Sequence, residues 1–214
     1  MLLNDRRIKE LVQKHPDFIS PFVGEKVCQG ELPSWGLEPH GYTFRLHPQV
    51  LYTPFVLPQG GQKWAGGITE PALLELDEGD YLVLPPFTML HCRSIESFKL
   101  PNNIVGLLTG KSTYTRQGIV YCMTVVDAGY EGVIYFALAN LNPIKEVKVY
   151  PYGGIGQIMF VESEPADVAY LPSHCVKETT AQLISSVQQA LRCYAKEGGE
   201  INAAEEISRH MWEA

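Results

Sequence analysis

The chain has 214 residues, 45% hydrophobic and 19% charged, with a formal net charge of -7. That length suits one generous domain, or one domain with an appendage. The acidic balance offers no broad basic surface for nucleic acid, and no apolar run approaches the length of a membrane span. The N-terminal MLLNDRRIKE has charges where a secretory leader has its apolar core. The five cysteines are odd in number, widely spaced and without a C-x-x-C pair. Both features predict reduced thiols and a cytoplasmic protein.

In chain order, residues 5–14 read as a short helix. Asp5 is placed to cap it, Ile8, Leu11 and Val12 share one face, and Pro16 ends it. Residues 18–70 are rich in Pro and Gly, with short apolar runs at Phe18-Ile19, Tyr42–Leu46 and Val50–Tyr52, read as strands joined by long loops. Strand candidates then follow at 73–76, 81–84, 87–95, 104–109, 119–126, 133–139, 146–150 and 156–162, punctuated by Gly, Pro and Asn. Many short strands at this spacing predict a mainly β body, a barrel or a jelly roll. Beyond Thr179 the pattern changes. Leu183, Ile184, Val187, Leu191 and Tyr194 recur at helical spacing, Gly198-Gly199 breaks the run, and Asn202-x-x-Glu205 suits a second helix start. A β body over 1–172 with a C-terminal helical extension over 173–214 is expected.

Polar clusters stand at the ends of the apolar runs between Val105 and Val161. They are Lys111-Ser112 with Arg116, then Asp127-Ala128-Gly129-Tyr130, then Gln157. Cations beside hydroxyls suit a polyphosphate, an acid on a glycine turn suits activation of one water, and a neighbouring Tyr suits a flat base. Together they predict a nucleoside triphosphate site. Gly106–Ser112 reads G-L-L-T-G-K-S but is not a P-loop. That motif needs four residues between its glycines and a helix after the Lys-Ser; here there are three, and Ile119-Val120-Tyr121 after Gly118 signal a strand. The H-x-E and P-C-x-x-C signature of zinc deaminases is absent, and His91-Cys92 and His174-Cys175 read as ordinary strand or loop residues.

Six segments, in order, resemble the dCTP deaminase and dUTPase superfamily over about residues 1–165. Leu3–Ile8 is similar to the deaminases' L-S-D-R-D-I start. Ile19–Phe22 and Leu37–Leu46 resemble I-x-P-F and Q-P-x-S-Y-D-L-R-L-G. Gly110–Gly118 resembles G-R-S-S-L-A-R-L-G, Val126–Gly132 resembles I-D-P-G-Y-x-G, and Gly156-Gln157-Ile158 resembles A-Q-L/M. The resemblance implies a distorted β-barrel or jelly roll of the dUTPase type, a homotrimer with sites between subunits, Mg2+ carried with the triphosphate, and no zinc. It gives Lys111, Ser112 and Arg116 to the phosphates, Asp127 to the water, and Tyr130 and Gln157 to the base or sugar pocket.

The chain also departs from that pattern. Lys111 replaces an Arg and so loses the planar bidentate fork. Thr43 stands where an Asp is usual, and the segment from Gly118 to Asp127 is short. The glycine-rich lid of the dUTPases is missing. Ala137 falls where the deaminases carry a catalytic Glu, and alanine cannot shuttle a proton. The expectation is therefore a pyrimidine deoxynucleoside triphosphate enzyme. Overall likeness points to deamination of dCTP, and site chemistry points to hydrolysis of dUTP to dUMP and diphosphate. The other class expected is a nucleotide-binding or scaffold protein without catalysis.

Overall fold

The structure is a computed structural model that describes residues 1–54, 72–168 and 170. Helix α1 spans Asp5–Lys14. Strands follow at β1 Ile19–Ser20, β2 Lys26–Gln29, β3 Leu32–Glu38, β4 Gly41–Arg45, β5 Gln49–Pro54, β6 Ala72–Glu75, β7 Leu82–Leu84, β8 Thr88–Lys99 and β9 Ile104–Gly110. A single helical turn, α2, covers Ser112–Thr115, followed by β10 Ile119–Cys122, β11 Val125–Val126, β12 Glu131–Asn140, β13 Val147–Val149 and β14 Gly154–Glu162. One sheet has the order β11-β9-β14-β4-β3-β2 and the other β10-β12-β8-β5-β6, with β1 paired to β8 and a small β13-β7 ribbon beside them. The body is mainly β and of the jelly-roll type. Among the described residues it is two facing sheets, not a closed barrel.

Alternation explains the sandwich. Along β8 the residues alternate strictly between buried and half-buried, so Leu90, Cys92, Ser94, Glu96 and Phe98 face inward. Phe44 meets Phe136 at 5.6 Å between ring centroids, and Phe18 meets Phe160 at 4.8 Å. Such aromatic pairs add roughly 0.5–1.5 kcal/mol each beyond their buried area. One ion pair lies within this interior. The Glu96 carboxylate is fully buried and accepts from the Arg45 backbone N–H at 2.8 Å and from Nε at 2.7 Å. Burial raises the Glu96 pKa against the opposing pull of Arg45. Removing one partner strands a buried charge, at a cost of about 3–5 kcal/mol.

Three local expectations are corrected. The α1 cap is Asn4, whose Oδ1 accepts from Arg7 N at 3.1 Å, while Asp5 sits in the first turn near the positive helix end. One turn of helix does follow Lys111, although four residues are too few for a P-loop helix and the strand resumes at Ile119. The run 119–126 is two strands in different sheets, because the chain crosses between them at Met123-Thr124. Gly110 permits this crossing, since a Cβ there would lie 2.2 Å from the Tyr121 ring. The β2–β3 hairpin was not foreseen at all. The expected helices beyond 172 and the pair His174-Cys175 lie outside the described residues.

Candidate functional site

The predicted residues gather at the two ends of β9. At its C-terminal end stands Lys111, whose side chain turns inward and is only 7% exposed. Its Nζ donates to Ser34 Oγ on β3 at 3.2 Å. Burial lowers the Lys111 pKa, with Glu38 opposing and Lys26 assisting. Beside it runs a polar relay. Gln157 Nε2 donates to Thr43 Oγ1 at 3.3 Å, Thr43 Oγ1 donates to Glu38 Oε1 at 3.2 Å, and Lys26 pairs with Glu38 at 2.9 Å. Register makes this unavoidable, because Gln157 sits opposite both Thr43 and Thr109. Ser112 and Arg116 follow on α2 and its C-terminal cap, exposed and without side-chain hydrogen bonds or ion pairs among the described residues.

Asp127 and Tyr130 form the other end. Val126 pairs with Gly106, so Asp127 lies beside Val105, six residues along β9 from Lys111. At ~3.3 Å per residue the two are about 20 Å apart. Asp127 opens a turn closed by Tyr130 N donating to Asp127 O at 3.2 Å. Gly129 has φ 84 at the third position, which glycine adopts without strain. The Asp127 carboxylate is exposed and carries no hydrogen bond among the described residues. Tyr130 is differently employed. Its hydroxyl donates to the Val133 carbonyl, and its ring lies 5.4 Å from that of Tyr170. Burial raises its pKa.

Ala137 lies on the outer face of β12, opposite His91 of β8 on one side and Cys122 of β10 on the other. Burial lowers the His91 pKa, so the ring is neutral at pH 7, and it has no side-chain hydrogen bond among the described residues. One row further, the Arg93 guanidinium lies 3.2 Å from His47 Nε2. Sequence reasoning missed Ser34, Lys26, Glu38 and His91 as site residues. Only Thr43, noted as a departure, pointed toward the relay. No three His, Cys, Asp or Glu side chains among the described residues converge as a metal site, and no helix there is long and apolar enough to cross a membrane.

Comparison with known proteins identifies the family. The family model described as dCTP deaminase-like matches residues 2–163. A dCTP deaminase of Herpetosiphon aurantiacus is 32% identical over 172 residues, covering 78% of this chain and 88% of that one. The crystal structure of the Agrobacterium tumefaciens dCTP deaminase overlays with a TM-score of 0.54 at 18% identity. It covers 74% of this chain, which spans about half (47%) of that chain's length. A looser overlay, with a TM-score of 0.36 and 21% identity, covers 58% of this chain and 98% of the EIAV dUTPase. The chain belongs to the dCTP deaminase-like family.

Proposed function

We propose that this protein hydrolyses a pyrimidine deoxynucleoside triphosphate, dUTP to dUMP and diphosphate, at sites shared between copies of a homotrimer. The observation that carries this reading is the pairing of an exposed, unspent Asp127 carboxylate with an alanine at 137. Asp127 takes a proton from water and the water oxygen bonds to the phosphorus that remains in dUMP. The bond from that phosphorus to its bridging oxygen then breaks, and the electron pair leaves with diphosphate. Arg116 and Ser112 offer free donors to phosphate oxygens, and Lys111 adds a positive charge from beneath. Tyr130 and Gln157 act from below the base and sugar, bracing the walls. Mg2+ would enter with the triphosphate, whose oxygens would hold it and whose charge it would neutralise, leaving the Asp127 carboxylate to take the proton.

The homotrimer is supported by two features. The phosphate cluster and Asp127 are about 20 Å apart in one chain by strand rise, so one nucleotide can use both if a second copy supplies one of them. The outer face of the β9 sheet is also apolar, with Leu107, Val125 and Leu2 exposed beside Val105, Met159 and Val161. Light scattering showing a stable monomer at micromolar concentration would remove the shared site.

A second reading, deamination of dCTP to dUTP and ammonia, is favoured by the relatives and by the neutral His91 imidazole opposite Ala137. Incubation with a panel of deoxynucleoside triphosphates and Mg2+ separates the readings. Diphosphate and dUMP from dUTP support hydrolysis, and dUTP with ammonia from dCTP supports deamination. Arg116-dependent binding without products leaves a nucleotide-binding protein.

A further inference from the structure

The segment that leaves β14 crosses directly over the turn that carries Asp127. Ser163 N donates to Asn103 O at 2.9 Å, Ala166 N to Asn102 O at 3.0 Å, and Tyr170 N to Ala128 O at 3.3 Å. The turn is also held by the residues that precede β9, through Gly129 N donating to Pro101 O at 3.3 Å and Leu100 N donating to Tyr130 O at 2.8 Å. The Tyr170 ring then lies at 54° against the Tyr130 ring, 5.4 Å away. Tyr130 cannot swing out while its hydroxyl is bonded to Val133 O, so its ring is a fixed wall. Asp127, by contrast, is exposed, and its own side chain does nothing to fix the turn. Its position is therefore set by the backbone around it, which two other segments grip.

We infer that Tyr170 is a positioning residue for Asp127, and that residues 163–168 together with Tyr170 form a strap coupling the chain beyond β14 to the acid-bearing turn. This rests on the reading of Asp127 as the water-activating group. The physical reason is the tolerance of such chemistry. A carboxylate displaced by about 1 Å from its water can cost on the order of a hundred-fold in rate. A four-residue turn with one internal hydrogen bond has little stiffness of its own. Tyr170 supplies both a backbone donor and a ring. Replacing the side chain removes the ring contact with Tyr130 and leaves the backbone donor.

The experiment compares Tyr170→Ala and Tyr170→Phe with the intact chain, following turnover with Mg2+ and, separately, amide hydrogen exchange. Tyr170→Ala is expected to lower kcat by about ten-fold or more while KM stays within about two-fold. Tyr170→Phe, which keeps the ring, should restore kcat. Exchange at residues 128–130 should quicken in Tyr170→Ala and stay unchanged along β8 and β12. Wild-type kcat in Tyr170→Ala, in a protein whose Asp127→Asn variant is inactive, overturns the positioning role while sparing the reading of Asp127. If Asp127→Asn is as active as the wild type, the reading of Asp127 has failed instead. Unchanged exchange at 128–130 overturns the strap whatever the activity. A quickened turn in a protein that processes no nucleotide leaves a structural brace and rejects the positioning role.

Discussion

At one end of β9 the chain buries a cation and leaves a hydroxyl and a guanidinium in solvent. At the other it half-buries a tyrosine ring and leaves a carboxylate in solvent. Lys111 is spent on Ser34 and on the field of Glu38, whereas Ser112 and Arg116 are unspent. Tyr130 is spent on Val133 and Tyr170, whereas Asp127 is unspent. The difference teaches a division of work. The first turn presents free donors suited to an anion, and the second presents a free carboxylate on a backbone held by other segments. The proposed hydrolysis needs both.

The sharpest test of that division is Asp127→Asn. Turnover should fall by roughly two orders of magnitude or more, while nucleotide affinity stays within a few-fold, because Asn keeps the size and one acceptor but cannot take the proton. Arg116→Ala should behave in the contrary way. Loss of a charge-assisted phosphate contact weakens affinity by roughly ten- to a hundred-fold, measured by titration calorimetry with a non-hydrolysable analogue. If both variants lost affinity equally, the two turns would not be doing different work.

Smaller effects sharpen the comparison at Lys111. Its pKa is lowered by burial, so its charge is lost at a lower pH than that of an ordinary lysine. Nucleotide affinity should therefore decline on the alkaline side before the usual lysine range, and Lys111→Arg should move that decline upward. An affinity profile flat through that range would show that Lys111 serves only Ser34.

The smallest effect lies outside both turns. His47 Nδ1 accepts from Gln49 N at 3.1 Å, its Nε2 lies 3.2 Å from the Arg93 guanidinium, and burial with the Arg93 charge lowers its pKa from 6.5 to about 4. Both neighbours are donors, so a protonated ring repels them. Between these two values the unfolded chain binds more protons, so stability rises with pH across that window and is lost as pH falls from about 6.5 to about 4. His47→Gln should flatten this limb in denaturant melts at several pH values, with no change in nucleotide affinity.

Periodicity made much of the sandwich legible. The strands β8, β9, β12 and β14 were expected within a few residues of their observed ends, because alternating burial writes a period of two into the sequence. The β2–β3 hairpin was not legible. Pro33, Ser34, Trp35 and Gly36 show no alternation, and that strand is held by pairing with β4 and by the relay from Glu38. The break of 119–126 into two sheets was equally hidden. It depends on the Tyr121 ring lying where Gly110 has no side chain, a contact between residues eleven apart in sequence.

For the site, the sequence by itself determined which residue types cluster, namely cations with hydroxyls at 111–116, an acid on a glycine turn at 127–130, and a glutamine at 157. It also determined that position 137 has no proton to give. Only the tertiary structure decided which of these are free to act. Motif spacing treats Lys111 and Arg116 as equivalent charges, but packing against β3 buries one and leaves the other in water. Likewise Asp127 and Tyr130 are three residues apart in one motif, yet one faces solvent and the other is clasped by Tyr170, forty residues later in the chain. The physical reason is that burial and hydrogen-bond partners come from strands distant in sequence, and they decide whether a polar group is already satisfied or still able to bind.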